Sequence, residues 1–278
     1  MPDLFNLFAR WWKFIFGFAL VAAVVALIFC LISTKLYLGE ATALPVNSMT
    51  ADKARIFGTN IQELYSDFGT PDELDRIEGT AILDTIYIAT VKEFNMEEHY
   101  GIPHSGESFY KAAMKLKKNS RIRRSGYGEL KVKVWDKDRN LTAALSNSLL
   151  DKIQSIHQRL QNESNAAILQ RLREDYAKKQ QEFRGTSDSM RNVSGTDAEI
   201  LQAKKTAAFD QLLQYEKMID QYQLALSTNP PVLLVVEKAR PPVWHDKPKT
   251  LQVVLLTFFA ALAFAFLMVL FLQARRTT

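Results

Sequence analysis

Two stretches of this chain leave it little choice of environment. Phe14 to Ile32 is apolar except for Gly17, and Val253 to Leu272 is apolar except for Thr257. Each run matches the roughly 20 residues that an α-helix needs to cross a hydrocarbon core of about 30 Å. The chain of 278 residues is therefore expected to span a membrane twice. Outside these runs about two-fifths of the residues are still hydrophobic, more than a disordered linker carries, so the connecting segment is expected to fold.

Arg10 and Lys13 precede the first run against a single acid, Asp3, and Arg275 and Arg276 follow the second. Positive charge on short flanking segments marks the cytoplasmic side, which places both termini inside and the main domain across the membrane. The expected organisation is a cytoplasmic N-terminus over 1–13, a transmembrane helix over 14–34, an outer α/β base domain over 35–250 with a helical arm at about 139–228, a second transmembrane helix over 251–273 and a cytoplasmic C-terminus over 274–278. Four of the 35 basic residues and one of the 30 acidic residues lie at the two ends, so the connecting segment is nearly balanced although the whole chain carries +5. That balance argues against a nucleic-acid partner.

A cleaved signal peptide fits poorly, because the first run exceeds a typical signal core and Ser33-Thr34-Lys35-Leu36 lacks a small-x-small pattern. The lone Cys30 permits no internal disulfide. Trp11, Trp12 and Trp244 stand at the span boundaries as interfacial anchors, and Ala19 with Ala23 and Ala261 with Ala265 are small residues at the spacing that lets membrane helices approach closely. Neither span holds an ionisable residue, so the membrane part is expected to hold something in place rather than to transport.

Along the connecting segment, Tyr37 to Pro45 reads as an extended strand, and 51–100 as two or three short helices broken at Gly69-Thr70-Pro71. Gly101 to Gly106 is a loop and Glu107 to Leu116 a further helix. Lys115, Lys117, Lys118, Arg121, Arg123 and Arg124 form the densest basic run, read as a candidate anion or subunit contact or, more simply, a solvated basic edge ahead of a strand. Leu130, Val132 and Val134 alternate with Lys131, Lys133 and Trp135, a sheet strand with one covered face.

Asp136-Lys137-Asp138 offers a helix cap, after which Leu145, Leu149, Ile153, Ile156, Leu160, Leu172, Tyr176 and Phe183 make a helical stripe free of glycine and proline until Gly185. Gly185 to Gly195 reads as a break. Thr196-Asp197-Ala198-Glu199 is a capping box that opens a second helix, whose Ala208, Leu212, Tyr215, Ile219, Tyr222 and Leu226 follow a four-three alternation. The two helices make either an antiparallel hairpin or one long bent arm. Asn229-Pro230-Pro231 ends them, Val232 to Val236 has the character of a buried strand, and Pro241, Pro242 and Pro248 stiffen the approach to the second span.

Chemistry is sparse. The chain has no phosphate loop, nucleophile elbow or H-E-x-x-H. His99, His104, His157 and His245 are scattered, and acid pairs such as Glu97 with Glu98 or Asp72 with Glu73 read as surface charges. Sequons at Asn140, Asn162 and Asn192 are background. No catalytic residue, cofactor or metal is expected.

The order of parts resembles the polysaccharide co-polymerases, the Wzz-type chain-length determinants of bacterial inner membranes. The resemblance rests on Tyr37 to Pro45, on the run from Leu130 through Asp138 to Ala143, Ala144 and Asn147, and on Ala239, Pro241, Pro242 and Pro248 before the second span. It implies an α+β periplasmic domain with a long helical arm, anchored by two transmembrane helices and assembled as a homo-oligomeric ring. It also implies a non-enzymatic role with a membrane polysaccharide polymerase and a lipid-linked glycan, such as O-antigen, whose chain length it sets. The branch with a cytoplasmic tyrosine kinase is not matched, since Arg275-Arg276-Thr277-Thr278 carries no nucleotide-binding domain. An adaptor for capsule polysaccharide export shares the two-span plan; a sensory receptor and an outer enzyme fit less well.

Overall fold

The computed structural model describes residues 4–46, 71–189 and 196–274. The expected helical content of 51–70, and the segment 190–195 within the expected break, lie outside them. The described chain is mostly helical around a small sheet, in the order α1 (Leu4–Ile32), β1 (Tyr37–Pro45), α2 (Pro71–Ala81), α3 (Asp84–Glu93), α4 (Met96–His99), α5 (Ser108–Lys118), β2 (Ser120–Arg124), β3 (Leu130–Asp136), α6 (Arg139–Ser189), α7 (Thr196–Thr228), β4 (Leu233–Glu237) and α8 (Thr250–Ala274). The strands run β2-β3-β1-β4 across the sheet. Two compact units divide the chain, one of 1–39, 134–144 and 240–278, the other of 40–133 and 145–239.

In the first unit α1 and α8 pack against each other through Ile15, Ala265 and Val269, with Trp11, Leu262, Phe266 and Leu270 around them. Early residues of α1 thus meet late residues of α8, so the pair is antiparallel. Ala19 is fully buried beside this cluster, and Ala265 lies in it, where a small side chain permits close approach. The other faces are apolar and open, with Leu20, Val21, Val25, Phe29, Leu256 and Phe259 all more than half exposed. Leaving such side chains in water forgoes about 1.5–3 kcal/mol each, and a dozen would exceed a net stability of about 5–15 kcal/mol. Two apolar helices near the two ends, each long enough to cross a membrane, are consistent with a two-span membrane protein.

In the second unit the alternation of β3 turns Leu130 and Val132 inward, where they are fully buried together with Leu116, Ile86, Val91, Leu145, Leu149 and Ile153. The outer residues Lys131 and Lys133 both reach Glu40 of β1, at 3.6 and 3.1 Å. β1 pairs antiparallel with β4 through Thr42–Glu237, Ala43–Val235, Leu44–Leu234 and Pro45–Leu233, with an irregularity between Thr42 and Ala43.

One expectation is refined and two are corrected. The basic run lies on the last turn of α5 and on Ser120–Arg124, which is itself a strand, β2, at the edge of the sheet ahead of β3 and not a loop. The single apolar residue of β2, Ile122, is buried, and one such residue gives no alternation to read. A turn closes it onto β3, with Ser125 N–H to Glu129 O at 2.8 Å and Gly128 N–H to Ser125 O at 3.2 Å, and Gly128 supplies the left-handed position at φ 79°. Gly185 does not break α6, which runs to Ser189. One glycine costs a helix only about 1 kcal/mol, and here Ser189 Oγ bonds back to its carbonyl at 2.9 Å. β4 is an edge strand rather than a buried one. Only Leu233 is covered, whereas Leu234 and Val236 are 52% and 55% exposed.

The arm is a hairpin. Asn162 meets Asn229 at 2.7 Å, Arg173 meets Gln223 at 3.0 Å, and the Phe183 ring lies 6.3 Å from that of Phe209, so positions rise along α6 as they fall along α7. Leu212 of the four-three series is buried, as is Leu169 on α6. α7 stops at Asn229, whose φ of 43° ends the helix and whose N–H bonds Ala225 O at 3.1 Å, before two prolines that cannot continue it.

Candidate functional site

The six cations of the basic run separate into two sets. Lys115 Nζ lies 4.5 Å from the Tyr100 ring centre and 3.5 Å from its carbonyl. Lys117 pairs with Asp84 at 2.7 Å. Arg124 pairs with Asp75 at 2.8 Å, while its backbone N–H donates to Glu78 at 2.9 Å. Asp75 and Glu78 are three apart on α2, hence on one helix face, and they cap the end of β2. Lys118, Arg121 and Arg123 are exposed and form no ion pair among the described residues. Arg121 and Arg123 flank the buried Ile122 two positions apart, so they share a sheet face. Three of the six hold α5 and β2 against their neighbours, and three present charge.

The proline segment begins from a fixed point. Asn147 Nδ2–H donates to Ala239 O at 3.1 Å and Asn147 Oδ1 accepts from Ala239 N–H at 2.8 Å, so one side chain satisfies both backbone groups of a residue that is 7% exposed. Asn147 entered the sequence reading only through resemblance; its partner lies 92 positions away, where no local pattern points to it. In the first unit the segment is tied again. Trp135 Nε1–H donates to Asp246 Oδ2 at 2.7 Å, Lys247 Nζ sits 4.1 Å from the Trp135 ring centre, and Leu36 exchanges backbone bonds with Asp246 and Lys247 at 2.8–3.2 Å. Pro241 is exposed and Pro242 and Pro248 are half-buried, with a cis bond between Lys247 and Pro248. Asp138 performs the expected capping, accepting from Asn140 N–H at 2.8 Å and Leu141 N–H at 3.3 Å.

A cavity of about 440 Å³ in the second unit was not foreseen. Glu73, Arg76, Ile77 and Thr80 of α2 line it with His157, Leu160 and Gln161 of α6. Leu160, expected in the covered stripe, is instead 48% exposed there. Thr80 Oγ1 contacts His157 Nε2, and burial holds the imidazole pKa below its ordinary value. Glu97 also differs from expectation: it is buried, with Oε1 3.9 Å from His104 Nδ1. No group of three potential metal ligands occurs among the described residues.

Among the solved structures similar to this chain are two polysaccharide co-polymerases. A full-length bacterial polysaccharide co-polymerase matches with a TM-score of 0.43 and 13% identity, covering 100% of this chain and 98% of that one. A fragment of WzzB, a polysaccharide co-polymerase from Salmonella Typhimurium, matches with a TM-score of 0.32 and 13% identity over 77% of this chain and 100% of the fragment. No protein-family model matches the chain, and no curated protein matches its sequence.

Proposed function

We propose that this chain is a polysaccharide co-polymerase, a non-catalytic scaffold that sets the chain length of a lipid-linked surface polysaccharide such as O-antigen. The observation that carries the reading is the combination of an α+β unit, a long antiparallel helical hairpin and a stiff proline segment, all bracketed in sequence by two apolar helices. Both termini are cytoplasmic, the main domain is periplasmic in a bacterial inner membrane, and copies assemble as a ring that works with the membrane polymerase. The domain organisation is the one given above, from the cytoplasmic 1–13 to the cytoplasmic 274–278. Lys118, Arg121 and Arg123 are the part of the basic run free to meet an acidic face of the next copy or an anionic glycan, and Pro241, Pro242 and Pro248 hold the lead-in to α8 in fixed geometry.

The test is the length distribution of the surface polysaccharide, resolved on a gel, in a strain lacking the protein and in one restored. Loss of a modal cluster in favour of short, random lengths is the expected result. Complete loss of surface glycan with material retained inside points instead to a capsule export adaptor, and an unchanged pattern refutes the reading.

A further inference from the structure

The backbone bonds between Leu36 and Asp246–Lys247 bring the chain leaving α1 beside the chain entering α8. Lys35, Lys247 and Lys249 therefore gather where both apolar helices end. All three are exposed, and none forms an ion pair among the described residues. The acid beside them, Asp246, receives the Trp135 indole N–H at 2.7 Å, and the same indole lies under the Lys247 ammonium at 4.1 Å, fixing that cation in place. On the same proline-stiffened segment Val243 and Trp244 are 75% and 81% exposed.

Unpaired lysines and an uncovered indole at the end of a membrane helix pair suit the headgroup layer. The indole prefers that depth, and the ammonium groups attract lipid phosphates. These lysines also work against the orientation signal of Arg10, Lys13, Arg275 and Arg276, because they place positive charge at the opposite helix ends. Topology therefore does not account for them, whereas a local anionic partner does.

We propose that Lys35, Lys247 and Lys249 form a binding site for the phosphate of an anionic phospholipid in the leaflet at this end of α1 and α8, with Val243 and Trp244 seated among the neighbouring headgroups. The site stands on the first unit alone and does not depend on the polysaccharide reading, so either can fail without the other.

The experiment is native mass spectrometry of the full-length chain in detergent, offered phosphatidylglycerol and phosphatidylcholine in equal amounts. A lysine near an anionic surface contributes about fivefold, so the three together sustain a preference of tenfold or more for phosphatidylglycerol. Replacement by K35Q, K247Q and K249Q reduces it to about twofold, and arginine at all three positions keeps it. For the unmodified protein, which removes any dependence on how the variants fold, the preference falls as sodium chloride is raised, because the charges are exposed. The proposal is overturned if the glutamine variant retains its preference, if R10Q with K13Q abolishes it instead, if salt has no effect, or if low millimolar inorganic phosphate displaces the lipid, which marks a site for a free anion.

Discussion

Asn147→Ala isolates a single joint in this molecule. The substitution removes both hydrogen bonds to Ala239, at 3.1 and 2.8 Å, and leaves the N–H and C=O of a residue that is only 7% exposed with no protein partner. A buried group stranded in this way costs about 1–3 kcal/mol, and limited access of water to Ala239 brings the pair to roughly 3 kcal/mol. Because 1.4 kcal/mol corresponds to about a factor of ten, opening of the chain at Ala239 should become more than a hundredfold easier. Hydrogen exchange measured by mass spectrometry reads this directly, since Pro241 and Pro242 carry no amide and a peptide across 238–243 reports few sites beyond Ala239. Exchange should accelerate there while amides around the fully buried Leu149 and Val91 stay protected. If exchange across 238–243 remains within about threefold of the unsubstituted protein, well below the difference implied by the lost bonds, the reasoning is wrong.

Other perturbations probe separate parts. Burial lowers the folded pKa of His157 below its value of 6.5 in the unfolded chain, so the unfolded chain takes up the proton first and stability is lost as pH falls below about 6.5. Glu73 and Arg76 line the same cavity and Thr80 touches the ring. Melting temperatures measured between pH 7.5 and pH 5.5 should therefore drop more in the native protein than in His157→Gln. Leu149→Ala, at a site with no exposure, should cost about 2–5 kcal/mol in denaturant titration. Trp135→Phe keeps the ring beneath Lys247 but removes the donor to Asp246, a bond to a charged acceptor worth about 1.5–3 kcal/mol, and should speed exchange at the Leu36 and Lys247 amides.

The parts of the fold that were legible in the sequence are those in which one physical demand repeats along the chain. The spans declare themselves because a bilayer requires an unbroken apolar length, and β3 does so because each inward Val or Leu is followed by an outward lysine or tryptophan. The four-three series of α7 marks its contact face without naming the partner; the Asn162–Asn229, Arg173–Gln223 and Phe183–Phe209 contacts select the hairpin over the bent arm. β2 was hidden because Ile122 alone carries its burial. β4 looked buried because five apolar residues in a row do not reveal whether a strand has one neighbour or two. The basic run was visible as charge, but which of its members are spent on Asp75, Asp84 and Tyr100 depends on contacts made across the fold. The Asn147–Ala239 pair and the Trp135–Asp246 bond join residues 92 and 111 positions apart, beyond any local pattern.

The hairpin is tied at its root by Gln158 and Asn162, which bond Asn229 and Pro230. From there the 33 residues of α7 extend for about 50 Å at 1.5 Å per residue. Its far end has the geometry of a lever tip, since a tilt of about 5° at the root would carry it through roughly 4 Å over that length. The position of the tip is then governed less by residues near it than by the root, where the unbroken α6 seats Leu149 and Ile153 in the core and Gln158 and Asn162 hold Asn229 beside it.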